Sequence, residues 1–140
     1  MNGEETIKTI RNFVHLLEQR RLKEFSNLFA EDGKWMHPYH SGMFPAETVG
    51  RDEIYNGIQK AAANFDEIEF PIEEILLFEN PKKVAMKHSG RLTFKNGSGT
   101  YENDYLTILT FDDSGKIVEW IEYYNPIIAA KAFGLMDKIY

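Results

Sequence analysis

The run TYENDYLTILTFDDSGKIVEWIEYYNP, residues 100–126, decides how this chain is read. Two stretches rich in β-branched and aromatic residues, 100–111 and 116–124, flank DDSG, whose Ser114-Gly115 is turn chemistry for antiparallel neighbours. Asn125 then suits an N-cap and Pro126 a first helical position, so the second stretch leads into a helix. Along a strand, side chains alternate between faces. That groups Glu119 with Ile117, Ile121 and Tyr123, and Glu122 with Val118, Trp120 and Tyr124. The two glutamates fall on opposite faces, and both faces are apolar. At least one carboxylate therefore points at something other than bulk water.

Working outward, KVAMKHSGRLTFK reads as the preceding strand, joined through the NGSG turn at residues 96–99. EIEFPIEEILLFE before it is extended, with NPKK as its turn. RDEIYNGIQKAAANF is helical, with Ile54, Ile58, Ala61, Ala62 and Phe65 on one side. Residues 40–50 form a loop with strand fragments. KWMHPYH reads as a strand that Pro38 keeps short or at an edge. EDGK at 31–34 reads as a stop and turn. Ile7, Ile10, Phe13, Val14 and Leu17 repeat at helical spacing, and Leu22, Phe25, Leu28 and Phe29 mark a second short helix after a bend near Arg20. Past Pro126, Ile127, Ile128, Ala130 and Phe133 make a closing helix that Gly134 caps. Helices first and a long antiparallel meander second predict an α+β fold with helices on one face of a strongly curved sheet.

The 140 residues suit one domain, 1–140, and their 43% apolar and 27% charged content is that of a folded chain. With no cysteine, disulfides and thiolate metal sites are excluded. A net charge of −6 argues against a nucleic-acid groove. MNGEETIKTI lacks a secretory pattern and no run is apolar enough to span a bilayer, so no membrane association and a cytoplasmic location are expected.

The order of these pieces resembles the nuclear transport factor 2-like superfamily, and within it the SnoaL-like polyketide cyclases and the phenazine-biosynthesis PhzA/PhzB proteins. LFAEDGKW is similar to the helix-to-first-strand junction, GRDEI to the start of the third helix, YENDYLTILTFDDSGKI to the penultimate hairpin and IEYYNP to the final strand and its exit. The resemblance implies a single SnoaL-like domain of the cystatin-like or ketosteroid isomerase-like kind. In it a curved sheet wraps the N-terminal helices as a cone around an apolar pocket. It also implies homodimers paired through the outer sheet face. In PhzA/PhzB-like proteins a last-strand glutamate, corresponding to Glu122, acts as acid/base, supported by a third-helix histidine whose position here is Gly57. The superfamily holds isomerases, cyclases, dehydratases and non-catalytic binding proteins, so the resemblance leaves the activity open.

A glutamate in an apolar pocket resists ionising, which tunes it for proton transfer near neutral pH. Alternation alone favours a half-solvated or cross-strand paired role for Glu122; the family position favours the pocket. Glu119 falls to the outer face. The turn fixes the pairing of 101–111 against 116–124 only to within one residue, so either Asn103 with Tyr105 or Asp104 with Leu106 faces inward. Trp35, His37 and Tyr39 alternate on one face of the first strand. His37 is a candidate hydrogen-bonding or proton-relay partner of Glu122, and Tyr105 a donor to a carbonyl. His37 and His40 lack the carboxylate company of a metal site, and no metal or cofactor is expected. His88 stands mid-strand with no recognisable partner. Phe25, Phe29, Ile58, Trp35, Tyr39, Asn103, Tyr105, Trp120 and Tyr124 are expected to line a site for a small apolar or aromatic ligand, or else to form an aromatic-rich core. The expectation is a cofactor-free acid/base enzyme on an apolar carbonyl compound. Its rival is a non-catalytic dimeric binding or protein-interaction protein on the same scaffold.

Overall fold

A computed structural model describes residues 2–139. Helix α1, Gly3–Glu18, starts at Asn2, whose side chain accepts the Glu5 N–H at 2.9 Å. It buries Ile10, Phe13, Val14, Leu16 and Leu17. The bend falls at Arg20, which takes a positive φ of 58°. Helix α2, Leu22–Ser26, follows.

Strand β1 runs Phe29–Met36, straight through the EDGK segment read as a turn. Two features account for this. Gly33 is buried in the strand, where a Cβ would sit 3.0 Å from the Ile117 carbonyl oxygen. The pairing of β1 with the last strand also shifts register between Phe29 and Lys34, so the polar residues there lie at an irregularity and stay exposed. Strand β2 is Glu47–Val49 and helix α3 is Arg51–Ala62. The Arg20 guanidinium donates to the carbonyls of Ala62 and Phe65, tying the bend after α1 to the end of α3.

Then come β3 (Phe65–Glu69), β4 (Ile72–Leu77), β5 (Lys83–Phe94), β6 (Thr100–Phe111) and β7 (Ile117–Tyr124). Phe70-Pro71 divides the extended EIEFPIEEILLFE into β3 and β4, which pair with different halves of β5. Helix α4, Pro126–Phe133, has the Asn125 cap and ends at Gly134 in the left-handed region, φ 67°.

The sheet order is β2-β1-β7-β6-β5-β3, with β4 also on β5. Every pairing is antiparallel except β1 with β7, which is parallel. The sheet curls into a half-barrel, the strongly curved α+β sheet expected from the order of elements and the cone that the resemblance implies. Its concave face meets α1, α2 and α3 in one apolar cluster, and α4 caps a second cluster beside it.

Alternation along β7 fails at one point. The β6 partners step from Thr110 opposite Glu119 to Phe111 opposite Ile117, so β7 carries one extra residue, Val118. Ile117, grouped above with Glu119, therefore points inward with Trp120, and both are in the core. From Glu119 onward the phase is as read. Among the described residues no helix is long and apolar enough to cross a membrane.

Candidate functional site

Glu122 lies on the concave face between Trp120 and Tyr124, with Thr107 of β6 directly opposite. Parallel β1 brings Trp35 level with Trp120, and the indoles stack at 4.4 Å with 4° between planes. This places Trp35 Nε1 to donate to Glu122 Oε1 at 2.8 Å. The indole has room because α3 presents Gly57 there; a Cβ would lie 3.3 Å from Trp35 Cζ3. The position that the resemblance gives to a histidine is thus filled by a tryptophan from the neighbouring strand.

His37, two residues along β1's course, brings Nδ1 to 3.8 Å from the same carboxylate oxygen, beyond hydrogen-bond reach. Among the described residues, three buried polar atoms have no hydrogen-bond partner: His37 Nδ1, the Tyr124 hydroxyl and Trp120 Nε1. The first two belong to rings whose centroids are 6.0 Å apart beside Glu122.

Burial sets the charges. It pushes Glu122 up from 4.5 to about 7, against the opposing pull of the Trp35 N–H. Burial, with the nearby His40 adding to it, holds His37 down at about 4. Near neutral pH the carboxyl is poised between its two forms and the imidazole is neutral. The Glu122 side chain keeps 12% of its surface exposed.

A polar network stands on the Tyr124 side. Asn103 Oδ1 accepts the backbone N–H groups of Asp104 and Asn125, which orients its amide nitrogen to donate to the Tyr101 hydroxyl at 2.8 Å and the Asn125 carbonyl at 3.0 Å. The Tyr101 and Tyr105 hydroxyls are 3.0 Å apart. Burial pushes Tyr101, Tyr105 and Tyr124 all upward, so their hydroxyls keep their protons. Phe44, from the loop after β1, and Phe133 of α4 cover this group, with ring centroids 6.1 Å apart.

The residues singled out from the sequence divide into four groups. Trp35, His37, Trp120 and Tyr124 converge on Glu122. The register turns Asn103 and Tyr105 inward, and leaves Asp104 exposed. Phe25 and Phe29 are fully buried beneath Trp120, at ring distances of 5.5 and 5.9 Å, and Ile58 joins the same cluster; these three are core. Tyr39 is 51% exposed and packs on Tyr123, because the strand ends before Pro38 and alternation stops with it. An open pocket is absent among the described residues on the concave face. The cavity against Glu122 holds about 10 Å³, the space of one water.

Sequence reasoning missed Thr107, His88 and Tyr101. The Thr107–Glu122 pairing depends on the bulge at Val118, for which a single sequence carries no cue. His88 Nε2 lies 2.8 Å from Thr107 Oγ1, the partner its strand alone could not show. Among the described residues no three His, Asp or Glu side chains gather as a metal would require.

The sequence profile of the SnoaL-like domain matches residues 10–120. The chain belongs to the SnoaL-like domain family. The chain is similar to the uncharacterized protein YesE of Bacillus subtilis (strain 168), 21% identical over 131 residues, spanning 94% of this chain and 88% of that one. The SnoaL-like cone also superposes on PrhC from Penicillium brasilianum with a TM-score of 0.83, at 16% identity, covering 96% of this chain and 89% of PrhC. A phenazine biosynthesis-related protein from Pseudomonas aeruginosa gives a TM-score of 0.75 at 22% identity, covering 96% and 86%. At these identities the structural matches establish the fold.

Proposed function

We propose that this SnoaL-like chain is a cofactor-free acid/base enzyme of the isomerase, cyclase or dehydratase type, acting on an apolar carbonyl compound. One observation carries the reading: a buried carboxyl poised near neutrality stands beside two buried polar groups, His37 Nδ1 and the Tyr124 hydroxyl, that have no partner. Buried polar groups are rarely left unpaired, and a substrate oxygen would satisfy both.

In this mechanism Glu122 removes a proton from the carbon next to the carbonyl. Negative charge passes to the carbonyl oxygen, which the Tyr124 O–H receives together with the N–H of neutral His37. Trp35 holds Oε1. Oε2, which has no donor among the described residues, is the oxygen that carries the proton. Glu122 then returns the proton to another carbon, or to a departing hydroxyl. A ring-sized substrate reaches the carboxyl when Phe44 and Phe133 swing aside. A neighbour related to phenazine biosynthesis supports small-molecule chemistry for the scaffold.

The test has two parts: an NMR titration of Glu122 in the free protein, and ultraviolet assays of Glu122→Gln on unsaturated ketones whose double bond moves into conjugation. A midpoint near 7 and loss of turnover are expected. An ordinary carboxylate midpoint, with turnover unaffected by Glu122→Gln, would overturn the reading.

The near-filled interior favours a second reading, a non-catalytic binding protein on the same scaffold. It predicts ligand binding that Glu122→Gln leaves unchanged. For either reading we propose a homodimer through the outer sheet face, where Leu106, Ile108, Ile121 and Tyr123 are only half-buried. A monomer in light scattering at micromolar concentration would count against that pairing.

A further inference from the structure

We infer that Thr107 and His88 form a positioning pair that anchors one buried water against Glu122. The inference rests on the Glu122 reading above and adds residues that it does not use. A count of protons leads to it. His88 Nδ1 lies 2.9 Å from the Ser89 carbonyl oxygen. A carbonyl can only accept, so Nδ1 carries the ring proton and Nε2 is bare. Nε2 is 2.8 Å from Thr107 Oγ1, so the hydroxyl donates to the ring. Its single proton is spent there. Toward the cavity Thr107 therefore presents lone pairs alone.

The ring has no freedom to change this. It stacks on Tyr105 at 5.0 Å with 5° between planes, and meets the edge of Phe70 at 5.5 Å. Thr107 is 1% exposed and directly opposite Glu122 across the β6–β7 ladder. Both line the cavity of about 10 Å³ with His88, and α1 contributes only the apolar Phe13, Val14 and Leu17. That volume suits one water, and two acceptors satisfy its two protons. When Glu122 is ionised, the water donates to the carboxylate and to Thr107. When Glu122 is protonated, it donates to the water, which still donates to Thr107. One molecule serves both states without moving a side chain.

The titratable groups facing Glu122 are His37 from β1's end, His88 from β5, Tyr101 and Tyr105 from β6, and Tyr124 from β7 itself. The tyrosines stay protonated near neutrality, and burial keeps His37 and His88 neutral there, so a midpoint shift in either variant reports on the hydrogen bonds that Thr107 makes toward Glu122.

The experiment follows the Glu122 midpoint by carboxyl-labelled NMR in two variants. Thr107→Val removes the anchor, the ionised form loses its donor, and the midpoint rises by about one pH unit. His88→Phe keeps the stacked ring but frees the Thr107 hydroxyl to donate toward Glu122, and the midpoint falls by about as much. Thr107→Ser restores the original value. A packing effect would not produce opposite signs. Equal signs, or two unmoved midpoints, would overturn the pairing. Should His88→Phe fail to fold, the nitrogen shifts of His88 in the native protein decide: a proton on Nε2 overturns the inference, and one on Nδ1 supports it. Lost turnover in Glu122→Gln with unmoved midpoints in both variants removes the water anchor and leaves the acid/base reading intact.

Discussion

On one side of Glu122, Trp120 is packed by Phe13 at 5.1 Å, Phe25, Phe29 and the stacked Trp35, every one buried. On the other side, Tyr101, Tyr105 and Tyr124 carry hydroxyls, an asparagine fixes one of them, and half-buried Phe44 and Phe133 form the cover. The first group is a wall packed like a crystal interior, whose atoms have one arrangement. The second holds hydroxyls and half-buried rings near the surface, the features of a region that opens locally. A carboxyl at the seam gets its desolvation from the first wall and its chemistry from the second. The acid/base reading needs both.

The sharpest way to break the contrast is to empty the first wall. Trp120→Ala should cost about 3–5 kcal/mol in urea unfolding, and Phe44→Ala less than half of that. Equal losses would dissolve the distinction between wall and cover. Next is pH. Glu122 has a folded value near 7, above its unfolded 4.5, so its contribution to stability is present below 4.5 and lost as pH rises through 7. His37, held at about 4 below an unfolded 6.5, contributes above 6.5 and loses it as pH falls through 4. Between 4.5 and 6.5 the two slopes oppose and stability is nearly flat. Glu122→Gln should remove the falling limb and leave the His37 rise uncovered, so stability at pH 8 relative to pH 4.5 should shift upward by about 3 kcal/mol compared with the wild type. A Glu122→Gln variant whose stability stays as flat from pH 4.5 to 6.5 as the wild type's would contradict this.

Tyr124→Phe sharpens the other side. It deletes an unpartnered hydroxyl, so stability should hold or rise slightly, while turnover drops by about 10²-fold. A stability loss without a kinetic one would make the hydroxyl structural. The smallest effect is expected from Gly57→Ala. The helix gains about 1 kcal/mol of propensity, while the new methyl presses on Trp35. The net change in melting should be slight, and the Glu122 midpoint should rise as the indole N–H is pushed off line.

Much of this was legible in the chain itself. Caps at Asn125 and Gly134 and the change from helical to extended patterning at Glu67 are local signals, and they set the α+β order. Glu122 facing the concave side followed from alternation and the family position together. What stayed hidden was long-range or irregular. Ile117 changed sides because of a bulge, and β1 ran through EDGK because its polar residues sit at a register break. The choice of Asn103 with Tyr105 over Asp104 with Leu106 waited on that same count. Trp35 as the donor to Glu122 needed a parallel pairing between the first strand and the last, which no local pattern encodes.

That parallel pairing gives the molecule a built-in reporter. The chain has two tryptophans, and they are the two stacked side chains that hold the seam. The Trp35–Glu122 contact spans 87 residues, so it belongs to the slow, non-local class of contacts. Tryptophan fluorescence and near-ultraviolet dichroism during refolding will therefore track assembly of the site itself. A chain truncated before β7 would keep α1 to α3 and one unpaired indole, with a quiet near-ultraviolet spectrum.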